Sequence, residues 1–72
     1  SRESLLAALS ECLQTLTPRS RQIIKLRYFE NRSGSEIANY LGSKVQSAYQ
    51  AIARIHKSLG VCVSQRMEME RQ

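Results

Sequence analysis

Side chains that can make paired hydrogen bonds recur between positions 46 and 57 of this 72-residue chain. A helical wheel of about 100° per residue, drawn with Ala48 pointing inward, groups them on and beside the outer face of one predicted helix. Glutamine can pair with adenine edges, arginine with guanine or phosphate, and a small alanine lets a thymine methyl approach. This chemistry predicts DNA contact by Gln46, Ser47, Tyr49, Gln50, Ala53, Arg54 and Lys57.

The distribution of charge favours the same interpretation. No acidic residue occurs from Lys44 to Leu59, whereas a solvated helix surface usually mixes both signs. Positions 19 to 57 contain eight Lys or Arg residues against Glu30 and Glu36, a net charge of +6, and the two ends together carry −1. A basic middle is typical of a polyanion-binding domain. On charge alone, a solvated basic surface is an equally good explanation.

The remaining reactive side chains do not form a catalytic or metal-binding pattern. His56 has no second His and no acidic residue at metal-ligand spacing, so we interpret it as surface packing. Paired carboxylates and a nucleophile with a base are absent from the sequence, which argues against an enzyme or a cofactor. Cys12 and Cys62 are a distant pair on apolar stripes, and we expect both to be buried free thiols.

The sequence indicates neither a membrane protein nor a secreted one. No apolar run approaches about 20 residues, and no signal peptide is recognisable. We therefore expect a cytoplasmic protein with no membrane partner. We also expect one domain over residues 1–72, cut from a longer chain, with 61–72 as a C-terminal extension.

The periodicity of apolar residues predicts an all-α domain of four helices. The first runs from about Ser4 to Thr15, and the second follows Thr17-Pro18 and ends near Phe29. Ser33 and Glu36 match a capping box for the third, Gly34 to Leu41, and Gly42 ends it. Ser43 can cap the fourth helix, which we expect to resume or continue past Gly60 to about Met67.

Two apolar stripes should bury the helices against one another. The first helix carries Leu5, Leu9, Cys12 and Leu16, widened by Leu6 and Leu13. The fourth carries Val45, Ala48, Ile52, Ile55 and Leu59 at steps of three and four. Both patterns are typical of helices that face a core.

Helices three and four together have the form of a helix-turn-helix. Ala38 is small where the two helices would cross, Gly42 suits a sharp bend, and Ala48 would lock the second helix inward. In this unit the second helix enters the DNA major groove. A helix N-terminus attracts phosphate, so the start of helix three should contact the DNA backbone. The predicted backbone contacts are Arg27, Gly34, Ser35, Glu36 and Lys44.

The ordered motifs resemble region four of bacterial sigma factors of the sigma-70 superfamily, most closely the extracytoplasmic-function type. They are Leu16 to Arg21, Leu26-Arg27-Tyr28, Ser33 with Glu36-Ile37-Ala38, Leu41-Gly42, and Ser47 through Arg54 to Leu59. The resemblance implies a winged-helix-like DNA-binding domain that recognises the minus-35 promoter element. It also implies contact of helices one and two with the β-flap of the RNA polymerase core, and an anti-sigma factor as a further partner.

Two other functions stay open at this point. Response-regulator output domains contain a related four-helix DNA-binding unit that dimerises through its last helix. The stretch from Thr17 to Tyr28 resembles these domains as well. Alternatively, the apolar surface of helices one and two could be the functional site of a helical protein-binding adaptor.

Overall fold

A computed structural model describes residues 1–70 of the chain, and these residues contain helices and no strand. This confirms the predicted all-α, helix-turn-helix fold class. The predicted helix past Gly60 is also confirmed, although it runs three residues beyond Met67, and positions 71 and 72 of the predicted extension lie outside the described residues. The elements are α1 (Arg2–Thr15), α2 (Pro18–Ile24), a π-helical segment (Lys25–Phe29), α3 (Gly34–Leu41) and α4 (Val45–Glu70).

Local side-chain chemistry sets the start of α3, as predicted. The Glu36 N–H donates to the Ser33 hydroxyl at 3.1 Å, and the Ser33 N–H donates to the Glu36 carboxylate at 3.1 Å. The two bonds form the predicted capping box, which satisfies two backbone donors at once. Gly42 then ends α3 in a left-handed conformation with φ 67°, which a glycine adopts without steric cost.

The predicted cap on α4 is wrong. The helix begins at Val45, so Lys44 occupies the capping position, and its carbonyl accepts the first helical bond from the Ala48 N–H at 3.1 Å. The Ser43 hydroxyl instead donates to the Lys44 carbonyl at 3.1 Å. Because Gly42 bends the chain one residue earlier, Ser43 still belongs to the turn.

The second predicted helix changes its hydrogen-bond pattern at Lys25. The Glu30 N–H donates to the Lys25 carbonyl at 3.0 Å, a span of five residues that defines a π-helical turn. Two aromatic residues in this wider turn stay in solvent, since Tyr28 is 51% exposed and Phe29 is 75% exposed. π-helical turns are frequent at functional sites, so these two rings are candidates for contact with a partner.

The core is formed by α2, α3 and α4. Ile37 and Ala48 are completely buried at its centre, and five leucines pack at its edge. The predicted stripe of α4 is confirmed except at Val45, which is exposed because it lies in the first turn, ahead of the crossing with α3. The buried members of this core are Ile23, Ile24, Ile37, Ala38, Ala48, Ile52 and Ile55.

The predicted stripe of α1 is only partly buried. Leu5, Leu6 and Leu9 are all exposed, and the buried residues of the helix are Ala8 and Cys12. The physical reason is that α1 packs chiefly along α4, with no further helix of the described chain covering its other side. The first three turns of α1 therefore leave apolar surface in solvent.

The two cysteines are bonded to each other, so the prediction of two free thiols is wrong. Cys12 of α1 is fully buried, as predicted, but its sulfur forms a disulfide with Cys62 of α4. The bond joins residues 50 positions apart, with their Cα atoms 6.0 Å from each other. Because α4 continues unbroken through Gly60, it carries Cys62 alongside Cys12.

Two glycines offer opposite stability tests. At Gly60, in the interior of α4, an added Cβ would meet open space. Gly60→Ala should therefore raise the free energy of unfolding by roughly 0.5–1 kcal/mol. Gly42→Ala should lower it by roughly 1–2 kcal/mol, since an L side chain is strained at a positive φ. Urea denaturation measures both, and a Gly60→Ala variant less stable than the parent would contradict a continuous α4.

Candidate nucleic-acid interface

The crossing of α3 and α4 determines which side of α4 meets solvent. Ala38 and Ala48 are 2% and 0% exposed at this crossing, so the two backbones approach closely. With Ala48 turned inward, the opposite face of α4 is open along its first four turns. Every predicted recognition residue is exposed on or beside that face, and these are Gln46, Ser47, Tyr49, Gln50, Ala53, Arg54 and Lys57. We call this set the recognition face.

Tyr49 connects the recognition face to the start of α3. A Cβ added to Gly34 would lie 2.3 Å from Cζ of the Tyr49 ring, so only a residue without a side chain lets the ring lie there. The Arg27 guanidinium also lies over this ring, 5.7 Å from its centroid, a distance at which a cation and an aromatic face attract. Tyr49 is thus held between α3 and the π-helical segment.

The predicted backbone-contact residues are not equally accessible. Ser35 and Lys44 are exposed, Arg27 is half-buried, and Gly34 is buried beneath Tyr49. Glu36 has no free backbone amide to offer a phosphate, because its N–H donates to the Ser33 hydroxyl in the capping box. The amides of Gly34 and Ser35 are the remaining first-turn donors of α3, and a first-turn amide has no acceptor within its own helix.

Arg32 forms ion pairs with both acidic residues of the basic middle. Its guanidinium lies 3.1 Å from the Glu36 carboxylate and 3.8 Å from that of Glu30. The other Lys and Arg residues of positions 19–57 have no carboxylate within 4.0 Å among residues 1–70. Their charge is therefore available to an anionic partner, and they are Arg19, Arg21, Lys25, Arg27, Lys44, Arg54 and Lys57.

A polar groove missed by the sequence analysis adjoins the recognition face. The start of α2 and the end of α3 with its following turn enclose, together with α4, a depression of about 290 Å³. Its polar lining residues are Arg19, Ser20, Ser43, Ser47 and Arg54, and the apolar ones are Ile23, Leu41, Ala51 and Ile55. Arg19 and Arg54 are far apart along the chain, so the sequence does not indicate that they line one groove. The charge of Arg19 is the one feature of the sequence that could have indicated a role for this residue.

His56 belongs to a different surface from the recognition face. Its Nδ1 lies 3.0 Å from the Tyr28 hydroxyl, and the two rings meet edge to face at 86° with centroids 5.8 Å apart. Within residues 1–70, no three His, Cys, Asp or Glu side chains come together in a way that could hold a metal ion. Nor does any helix in that range combine the length and apolar character needed to cross a membrane.

Tyr28 and His56 stand at one side of an apolar groove of about 480 Å³. The groove runs between α1, the π-helical segment and α4, and we call it the apolar groove. Its lining is mostly hydrocarbon and aromatic, and on α4 it begins only at His56, well past the start of the helix. The lining residues are Leu9, Leu13, Ile24, Tyr28, Phe29, His56, Leu59, Gly60, Val63 and Ser64.

Two helices that cross at buried alanines, joined by a left-handed turn and leaving the second helix open on a basic face, define a helix-turn-helix DNA-binding domain. Residues 6–59 match the family model described as Sigma-70, region 4. Because this match covers more than half of the chain, the protein belongs to that family. It is therefore a DNA-binding domain of a sigma factor, which acts in transcription initiation with promoter DNA and RNA polymerase. Neither a curated protein nor a solved structure matches the chain significantly.

The capping box predicts a pH dependence of stability. The hydrogen bond from the Ser33 backbone, followed by that from the Arg32 side chain, holds the pKa of Glu36 below its ordinary value of 4.5. A lowered pKa in the folded state stabilises the fold above pH 4.5, and this contribution is lost as the pH falls through the lowered pKa. Glu36→Gln keeps a capping side chain but removes the titration.

We therefore expect the stability difference between the parent chain and Glu36→Gln to shrink as the solution is acidified below pH 4.5. Urea denaturation of both chains across the acid range measures this difference, and the other carboxylates cancel because both chains contain them. A difference that stays constant from neutral pH to below the lowered pKa would contradict the role given to Glu36.

Proposed function

We propose that this domain recognises the minus-35 element of promoters, as region four of a sigma factor of the extracytoplasmic-function type. The observation that carries the proposal is the recognition face, which is exposed, free of acidic residues and presented by the second helix of the helix-turn-helix. In such units that helix lies in the major groove while the first helix crosses the DNA backbone. The family match favours this function over a response-regulator output domain.

The recognition face contains groups suited to direct readout. Gln46 and Gln50 have the amide that pairs with adenine, and Arg54 has the fork that pairs with guanine. Between them Ala53 leaves space for a base-pair edge to come close. The Tyr49 ring, fixed against Gly34, holds its hydroxyl at the start of α3, where a phosphate of the bound strand would pass.

Contacts to the backbone would hold the duplex in register. The Ser35 amide stands at the positive end of α3, and Lys44 stands at the start of α4. We add Arg19, which lines the polar groove beside Arg54 and has no acidic partner among residues 1–70. Because these contacts with phosphate are electrostatic, the affinity for DNA should fall strongly as the salt concentration rises.

Arg54→Ala should weaken DNA binding by about 1–3 kcal/mol, the range expected when one arginine contact to a base is lost. The parent chain should bind with micromolar or weaker affinity, since a single helix-turn-helix makes few phosphate contacts. Selection from random duplexes would first provide a ligand. Fluorescence anisotropy at several salt concentrations would then measure binding.

Arg66→Ala is the matched control, because Arg66 lies on the same helix but pairs with Glu11 at 2.6 Å, outside the recognition face. It should leave DNA affinity unchanged. Equal losses in the two variants would indicate a general effect of net charge. Unchanged binding by Arg54→Ala, or binding that is independent of salt, would reject the proposed recognition face.

The apolar groove supports contact with the polymerase. A groove of this kind suits the apolar face of a partner helix, and we propose the β-flap of RNA polymerase as that partner. The contact would involve α1 and the π-helical segment, as the family resemblance implies, and also α4. An anti-sigma factor that covered the same groove would compete with the polymerase. Both partners imply a cytoplasmic location for the protein.

Phe29→Ala should weaken binding of a peptide with the sequence of the β-flap helix by about 1–2 kcal/mol, since aromatic residues commonly anchor such interfaces. Phe29 is 75% exposed, so the free energy of unfolding should change by less than about 0.5 kcal/mol. Isothermal titration calorimetry measures the affinity. Tyr40→Ala, an exposed aromatic of α3 outside the groove, is the control, and an equal effect there would contradict the assignment.

A further inference from the structure

The disulfide between Cys12 and Cys62 lies outside the main core. Neither cysteine belongs to the buried cluster of α2, α3 and α4. Its two residues differ in exposure, because Cys12 is fully buried while Cys62 is only half-buried. A reagent approaching the folded chain would therefore meet Cys62 first.

The disulfide is the covalent attachment of the first three turns of α1 to α4. The noncovalent contacts of these turns include the buried Ala8, the partly covered Leu9 and two exposed polar contacts, Glu11 with Arg66 and Ser4 with Glu70. Exposed ion pairs contribute little stability. Leu13 and Leu16, near the other end of α1, pack against the core on their own. Breaking the disulfide would thus release one end of α1 and leave the other anchored.

The Cys12–Cys62 disulfide also lies next to residues that line the apolar groove. Leu9 and Leu13 flank Cys12 on α1, Leu59 and Val63 flank Cys62 on α4, and all four leucine and valine side chains line the groove. The recognition face lies farther away, since its last residue, Lys57, is five positions, about 7.5 Å along the helix axis, from Cys62, whereas Val63 of the groove is the next residue to Cys62. A change at the disulfide would reach the groove before it reached the DNA-facing surface.

We propose that the Cys12–Cys62 pair is a redox switch that controls the apolar groove. The oxidised pair holds α1 against α4 and keeps the groove formed for a partner helix, and the reduced pair lets α1 open. The proposal rests on the proposed function of the groove and on the cytoplasmic location implied by that function. Disulfides in that compartment are usually transient and redox-sensing, because its thiol pool keeps cysteines reduced.

The reductant would be a dithiol. Its first thiolate attacks Sγ of Cys62, the sulfur–sulfur bond breaks, and the electron pair leaves on Sγ of Cys12, which takes up a proton. The second thiolate of the reductant then attacks the reductant's first sulfur, which is bonded to Cys62 in the mixed disulfide. The sulfur of Cys62 leaves as a thiolate and takes up a proton. Two electrons pass to the protein, which gains two thiols, and the dithiol becomes a cyclic disulfide.

Hydrogen exchange of the whole chain, with and without dithiothreitol, tests the switch. Reduction should accelerate exchange in residues 2–12 by about 30-fold, the factor that corresponds to the lower end of typical disulfide stabilisation. Residues 34–55, which contain α3 and the start of α4, should keep their protection. Cys62→Ala should behave like the reduced chain and should not respond to dithiothreitol, and Arg66→Ala should still respond.

Alkylation followed by mass spectrometry reports the state of the cysteines in the same samples. The proposal is overturned if the air-oxidised folded chain has two alkylatable thiols, or if excess dithiothreitol leaves the disulfide intact under native conditions. It is also overturned if all helices lose protection equally, since the bond would then be a structural cross-link for the whole fold. Unchanged exchange in residues 2–12 has the same consequence.

The β-flap peptide separates this proposal from the one on which it rests. Its affinity should fall by about tenfold or more on reduction of the parent chain, while affinity for DNA stays the same. A peptide that binds neither redox state would reject the assignment of the groove to the β-flap, whereas exchange and alkylation would still decide whether the cysteines form a switch. Equal peptide affinity in both states would overturn control of the groove.

Discussion

The close crossing of α3 and α4 is the constraint on which the proposed DNA-binding surface depends. Ala38 and Ala48 are buried where the helices meet, and Gly42 supplies the left-handed turn that brings them together. A larger side chain at either alanine would separate the helices or rotate α4. Because all recognition residues lie on one rigid helix, such a rotation would displace the whole set.

Much of this arrangement could be predicted from the sequence, because it depends on short-range signals. The capping box at Ser33 and Glu36, the left-handed Gly42 and the inward Ala48 are each set by residues within a turn or two of one another. The predictions for α1 failed where a helical stripe was taken as proof of burial. A stripe shows which face is apolar, but whether Leu5 and Leu6 are covered depends on what packs there, and no second layer does so in residues 1–70.

The features missing from the sequence prediction depend on register between distant segments. The disulfide requires α4 to stay helical through Gly60, so that Cys62 arrives opposite Cys12. The polar groove requires Arg19 of one helix to face Arg54 of another. The loss of the Glu36 amide as a phosphate donor is different, because the capping box itself could have indicated it. A side chain that caps a helix occupies the amide that an anion would otherwise use.

The length of α4 has a mechanical consequence. Its 26 residues rise about 39 Å, nearly the longest dimension of the molecule, which is 43 Å. The first turns present the recognition face and the later turns form one wall of the apolar groove, with no hinge between them. The helix therefore fixes both the distance and the angle between the two surfaces. A polymerase bound at the apolar groove would therefore have a fixed orientation relative to DNA bound at the recognition face.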